Sequence, residues 1–346
     1  MKVIQVGIGG MGDTWLQTVL ASPEVEYAAL VEINDATAQA QAARYNLDPA
    51  IIYHTLDQAL ANVSAGGVID VTPPQFHRQV AETAMRAGIP VLSEKPLADT
   101  LEAAMAIVRT SNETGVLHMV AQNRRYGIPI LTAKQVLQSG ILGKIGAVNV
   151  EFYKSPHFGG FRDTMPYPLI IDMAIHQFDL MRYFLNSDAT SVFGRSWNPA
   201  WSWFEGDASA ALLLNFGGIP VAFEGSWCAT GVTTAWNGHW RFDCEHGVLL
   251  LRDDQVFVQM RQVESPQEGK DFYETTFAEL TLIEPARPQY ANQAALLHEF
   301  YQAVTSGHKP GTICQDNLQS LAIVFSAIRS FQTGNNVRVA EMLKGI

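Results

Sequence analysis

An acid and a base, Glu94 and Lys95, stand side by side after the apolar run Ile89-Pro90-Val91-Leu92 and before Pro96. The run reads as a short buried strand, and a proline cannot continue its ladder, so the chain must turn there. Both charges are thereby delivered at the carboxyl end of a strand, the edge where open α/β sheets bind ligands. The plain alternative is a strand end with solvated charges. A second cluster lies in Tyr167 to Asp179, which reads as a helix with Pro168 in its first turn. Asp172, His176 and Asp179 are spaced i, i+4 and i+7, on one helical face. Three kinds of chemistry fit that face. The acid and the histidine can simply pair on their own helix surface. The three side chains can ligate one divalent ion, although no further His or Cys cluster supports that. Or the carboxylate orients an imidazole that moves a proton.

Other elements have to position these groups. The β-branched strand Val3 to Val6 runs into Gly7-Ile8-Gly9-Gly10-Met11-Gly12, and Thr14 to Leu20 reads as a helix. Gly7, Gly9 and Gly12 form G-x-G-x-x-G with a strand before and a helix after, the setting a dinucleotide site requires. The first glycine makes the turn, the second admits a pyrophosphate, and the third lets helix and strand pack closely. The helix N-terminus turns its N–H groups to the phosphates. A second strand, Glu24 to Val31, ends in Glu32, 20 residues past Gly12, where an acid bonds the adenosine ribose. A carboxylate there repels a 2′-phosphate, which favours NAD over NADP. Strands and helices keep alternating, with strands at Ile51–Tyr53, Gly67–Val71 and Leu117–Ala121 and helices at Asp35–Tyr45, Leu56–Ala61, Gln79–Ala87 and Thr100–Thr114. The pattern predicts a Rossmann-type, doubly wound parallel sheet.

The first half resembles the Gfo/Idh/MocA oxidoreductases, the glucose–fructose oxidoreductase and inositol dehydrogenase group. The residues that carry the resemblance are the three glycines, the turn from Thr72-Pro73 to His77, Glu94-Lys95-Pro96, and Asn123-Arg124-Arg125. It implies a cofactor-binding set of Gly7, Gly9, Gly10, Met11, Gly12, Glu32, Thr72, Pro73, His77, Glu94, Lys95 and Asn123. Glu94 would touch the nicotinamide-side ribose, Lys95 would sit beside the nicotinamide and the substrate hydroxyl, and His77 would chiefly hold its turn. Pro74 stands where the family often has Asn. Asp172 and His176 look like the family's second signature, with Ala174 where glycine is usual.

Past Gly143 the period changes to two. Ile145–Tyr153, Val192–Arg195, Ala208–Phe216, Pro220–Trp227, Trp240–Cys244, Val248–Arg252 and Gln255–Gln259 read as strands of a largely antiparallel open sheet. The expected division is a NAD-binding domain over residues 1–122 and a substrate-binding and oligomerisation domain over residues 123–346, whose last helices, Gln293–Thr305 and Gln315–Gly334, return toward the nucleotide domain. Tyr153, His157 and Arg162 are candidate substrate contacts, the last two in a lid-like loop, Lys154 to Asp163. Six of seven tryptophans fall in this half, as core or as the surface of a homo-oligomer, dimer or tetramer, formed through the sheet.

The composite reading is an NAD(P)-dependent dehydrogenase acting on a CH–OH carbon of a sugar or cyclic polyol, with Lys95, Asp172 and His176 catalytic in a cleft between the domains. Two alternatives stay open: tightly bound NAD serving redox-assisted glycoside cleavage, and a non-catalytic NAD-binding regulator. A net charge of −11 over 346 residues argues against nucleic acid and anionic membrane. Three scattered cysteines, no apolar span and no leader-like N-terminus suggest a cytoplasmic protein without a metal.

Overall fold

The computed structural model describes residues 1–262 and 275–344. The chain divides into two units, one of Met1–Tyr126 with Gln289–Leu321 and one of Gly127–Pro288 with Ala322–Lys344. The first unit is therefore assembled from two separated stretches.

In the first unit strand and helix alternate: β1 (Lys2–Val6), α1 (Gly10–Leu20), β2 (Glu26–Val31), α2 (Asp35–Tyr45), β3 (Ile52–Tyr53), α3 (Leu56–Asn62), β4 (Gly67–Asp70), α4 (Pro74–Arg86), β5 (Val91–Ser93), α5 (Leu101–Thr114) and β6 (His118–Val120). The six strands order as β3-β2-β1-β4-β5-β6, every pair parallel. The fold is the expected Rossmann type, and its strand order reverses beside β1, where such sheets take their ligand. Two helices begin earlier than expected. Helix α1 starts at Gly10 rather than Thr14, so Met11 and Gly12 lie in its first turn. Helix α4 starts at Pro74 rather than Gln79, with Pro73 as its cap. Proline reads as a breaker, but at the first helical position its missing N–H costs nothing. That also accounts for Pro74 locally.

Three registered pairs join β2, β1, β4 and β5: Val6 faces Val31 on one side and Asp70 on the other, and Asp70 faces Ser93. The carboxyl ends of four strands are thus level, which places Gly7, Glu32, Thr72 and Glu94 along one edge. The core beneath includes Val3, Trp15, Ile69 and Leu92, closed by Leu296 and Phe300 of the helix spanning Asn292–Ser306. Phe300 presses on the sheet where β4 has no side chain: a Cβ on Gly67 would lie 2.6 Å from its ring.

The second unit opens with α6 (Ile128–Gln138) and continues as β7 (Ile145–Tyr153), α7 (Ile175–Leu185), β8 (Ser191–Trp197), β9 (Ser209–Phe216), β10 (Ile219–Ser226), β11 (His239–Cys244), β12 (Gly247–Arg252), β13 (Gln255–Gln262), β14 (Thr276–Phe277) and β15 (Thr281–Leu282). After α8 (Asn292–Ser306) and α9 (Cys314–Thr333) come β16 (Val337–Arg338) and α10 (Val339–Met342). The large sheet runs β14-β13-β12-β11-β7-β10-β9-β8-β16, with β15 on β13. All its pairs are antiparallel except β7 with β10. Alternation makes it one-sided: Val148, Val150 and Phe152 of β7 are buried while Asn149 and Glu151 are exposed. Helix α7 covers the buried face, with Phe178 against Phe223 at 5.7 Å and Phe184 against Trp240 at 5.3 Å between ring centroids.

Phe300→Ala is expected to destabilise the first unit by about 3–5 kcal/mol, the usual result of emptying a buried aromatic site. The measurement is the urea midpoint; a midpoint equal to wild type would mean that α8 does not belong to this core.

Candidate active site

The glycine turn is held from within by a single amide. Gln5, fully buried in β1, donates from Nε2 to the carbonyls of Gly7 at 3.0 Å and Gly12 at 2.9 Å. Tyr27 donates its hydroxyl to Gln5 Oε1, and burial pushes that phenol well above its ordinary range. Gly7 has φ +89°, and a Cβ there would lie 2.8 Å from Val71 O; a Cβ on Gly12 would lie 2.5 Å from Gly7 O. These two glycines are sterically required. Around Gly9 and Gly10 a Cβ would meet nothing within 4 Å, so the backbone there borders open space at the start of α1. A helix N-terminus with uncommitted N–H groups, open backbone and an acid at the end of β2 fit a dinucleotide. That acid, Glu32, accepts from Ile8 N at 3.2 Å and from Asn34 N at 2.9 Å, which fixes it beside the glycine turn.

The turns after β4 and β5 complete this edge. Asp70 accepts from the backbone N and hydroxyl of Thr72 at 3.0 and 2.7 Å, and burial pushes its carboxyl upward. Pro73 is exposed and Thr72 half-buried. Glu94 accepts from Trp15 Nε1 at 2.8 Å and from Lys95 N at 3.1 Å. Burial raises the Glu94 carboxyl, while the Trp15 bond and the Lys95 charge pull it back. Its carboxylate is thus engaged by the protein on both oxygens, whatever it offers a ribose. Lys95 follows, half-buried. His77, read chiefly as a residue that holds its turn and counted with the cofactor set, is fully buried, with both ring nitrogens on backbone carbonyls. Asn123 opens a short 3-10 turn, Asn123–Tyr126, after β6, and Arg125 anchors that turn to Gly311 O at 2.8 Å and Asp316 at 3.1 Å.

In the second unit the expected helix from Tyr167 is not one regular helix. Leu169–Ala174 is a π turn and α7 begins only at Ile175. A π turn bonds i to i+5 rather than i to i+4, so this segment departs from the regular helix that the spacing predicts. Asp172 lies in that turn, four residues ahead of His176 in α7. It accepts from Arg162 Nε at 2.7 Å, so loop and helix are joined by a charged pair. Asp172 and His176 are both buried. Asp179 lies 4.0 Å from Arg182, which in turn bonds Asp188 at 2.7 Å. Among the described residues no trio of His, Cys, Asp or Glu stands close enough to hold a metal ion.

Arg162 also lies over the rings of Phe158 and Phe161. His157 is exposed and stacks on Trp203 at 3.7 Å. Tyr153, at the end of β7, is half-buried; burial and Glu224 push its phenol up to about 12. Arg162 and Asp172 are thus paired, with His176 four residues beyond Asp172, while His157 belongs to an aromatic wall with Trp203. Gln5, Trp15 and Trp203 were missed by sequence reasoning. Gln5 carried a signal, a lone polar residue inside an apolar strand; the other two carried none.

Residues 1–122 match the family described as "Oxidoreductase family, NAD-binding Rossmann fold", and residues 130–250 match the "GFO/IDH/MocA C-terminal domain". An uncharacterized protein of Sinorhizobium fredii is 31% identical over 99% of this chain and 97% of its own. An inositol 2-dehydrogenase of an Arthrobacter species is 30% identical over 56% of each chain. The crystal structure of an oxidoreductase from Agrobacterium radiobacter in complex with NAD+, L-tartaric acid and magnesium has a TM-score of 0.86, at 21% identity over 99% of both chains, a likeness of fold. Matched along both halves, the chain belongs to the GFO/IDH/MocA family of NAD-binding oxidoreductases.

Proposed function

We propose that this chain is a dehydrogenase that moves a hydride between NAD and a hydroxyl-bearing carbon of a sugar or cyclic polyol. The observation that carries the reading is the construction of the Glu94-Lys95-Pro96 turn. Its acid is held by Trp15 and its own backbone, its proline carbonyl by His77, and a lysine is thereby presented at the edge that also bears the glycine turn and Glu32. The inositol 2-dehydrogenase likeness supports the substrate class.

When bound, NAD supplies the hydride acceptor. The start of α1 holds the pyrophosphate, and Glu32 the adenosine ribose, with NAD preferred to NADP. Thr72, Pro73 and Asn123 line the cofactor groove. Lys95, as an ammonium, stabilises negative charge on the substrate oxygen as its proton leaves. His176 accepts that proton, and Asp172, held by Arg162, orients it. Tyr153 and His157 contact the substrate's other hydroxyls. The exposed sheet face, where Phe193 lies opposite Leu213, serves self-association.

A screen of inositols and aldoses for NADH absorbance identifies the substrate. With it, Lys95→Ala should lower kcat by about 10²–10³-fold, the effect of losing one preplaced charge-stabilising donor, and His176→Ala by about 10²–10⁴-fold. Turnover within about threefold of wild type for Lys95→Ala, under 1 kcal/mol, would remove the lysine from the mechanism. The wild type should use NAD well and NADP poorly, and Glu32→Ala should narrow that gap; a wild-type preference for NADP overturns the role given to Glu32. Leu213→Arg should shift the sedimenting species toward monomer, whereas an unchanged mass would place the interface elsewhere.

A further inference from the structure

His77 occupies the first turn of α4 and is fully buried. Its Nδ1 lies 2.9 Å from Pro96 O and its Nε2 lies 2.8 Å from Thr72 O. Both partners are backbone carbonyls, which only accept. A neutral imidazole has one N–H and one lone pair. In this setting it would press a lone pair against a carbonyl oxygen at hydrogen-bond distance. Only the ring with two protons satisfies both contacts.

The surroundings suit a cation. Asp70 at the end of β4 and Glu94 in the turn after β5 both face the ring, and its charge favours their ionised forms against the cost of burial. From β6, His118 stays neutral, pushed down to about 3 by burial and then by the His77 charge; its Nε2 is 3.0 Å from Ser93 Oγ. The Lys95 charge also acts on the Glu94 carboxylate. The other charges of α4 pair with one another, Arg78 with Glu82 at 2.8 Å and Arg86 with Glu82 at 3.3 Å. Two carboxyls, both raised by burial, thus lie within electrostatic reach of the buried ring.

What the ring joins gives it a function. Thr72 belongs to the turn that touches the glycine loop, since a Cβ on Gly7 would lie 3.3 Å from Thr72 N. Pro96 belongs to the turn that carries Lys95. We propose that His77 is a positioning residue held as an imidazolium, and that its two N–H groups fasten these turns together so that NAD meets a preformed edge. The part concerning NAD rests on the family's cofactor alone; the part concerning Lys95 rests on the proposed dehydrogenase chemistry.

The experiment is made on the full chain, without turnover, so its result stands apart from that of the substrate screen. Histidine-ring ¹⁵N spectra of the wild type at neutral pH, with His77 identified by its absence in His77→Gln, should show both its nitrogens protonated. One nitrogen with an unprotonated shift would overturn the proposal, and this reading survives even if the variant folds poorly, since the wild-type resonances can be assigned directly. In calorimetric titration with NAD, His77→Gln, whose two N–H donors share one nitrogen and cannot take the place of two separate ring nitrogens, should bind about tenfold more weakly than wild type at neutral pH, the scale of one charged hydrogen bond. Affinity within about twofold of wild type would reduce His77 to packing.

Discussion

An indole N–H and a carboxylate, both withdrawn from water, have to satisfy each other inside the first unit. Trp15 comes from α1 and Glu94 from the turn after β5, and their bond is 2.8 Å long. Leaving either group buried without its partner costs about 1–3 kcal/mol, more for a charged one. The bond therefore fixes the rotation of α1 about its own axis. The same helix starts in the glycine turn, and the same turn carries Lys95. A packing requirement in the core thus sets the relation between the glycine turn, where α1 starts, and the turn after β5, which carries Lys95. Gln5 adds a second tie of the same kind, drawing the carbonyls at both ends of the glycine turn inward.

Much of this could be read in advance because it is local. The alternation of apolar runs with helical stretches announces a parallel sheet, and Glu32 follows the glycines at a spacing that geometry dictates. The early starts of α1 and α4 were hidden because Gly10 and Pro74 look like breakers, whereas the first turn of a helix tolerates both. The partner of Glu94 was hidden for a different reason. Trp15 lies 79 residues upstream, and nothing in either neighbourhood points to the other.

The second unit shows the opposite failure, a strong local pattern that tertiary structure overrides. Asp172, His176 and Asp179 are spaced for one α-helical stripe, yet Leu169–Ala174 winds as a π turn. Side-chain spacing does not report which carbonyl an N–H selects. The approach to this helix is tightly constrained: a Cβ on Gly206 would lie 2.2 Å from Met165 O and 2.3 Å from Pro166 O, and Asp207 N donates to Pro166 O at 2.9 Å. Asp172 is meanwhile drawn to Arg162. Departures of this kind concentrate where side chains are arranged for chemistry rather than for regularity.

The single parallel pair in the large sheet has a consequence of another kind. Strands β7 and β10 run side by side from Val148 against Val221 to Tyr153 against Ser226. Parallel neighbours cannot be joined by a hairpin, so a crossover must come between them. Here the crossover is the lid-like loop, the π turn, α7, β8 and β9. The middle of the sheet closes only after all of these have been laid against it, and such distant pairings form slowly because loop entropy is lost before contacts repay it. The residues assigned to chemistry in this unit are therefore also those the chain must order before its largest sheet is complete. Substitutions there will be felt in the rate of folding as well as in turnover.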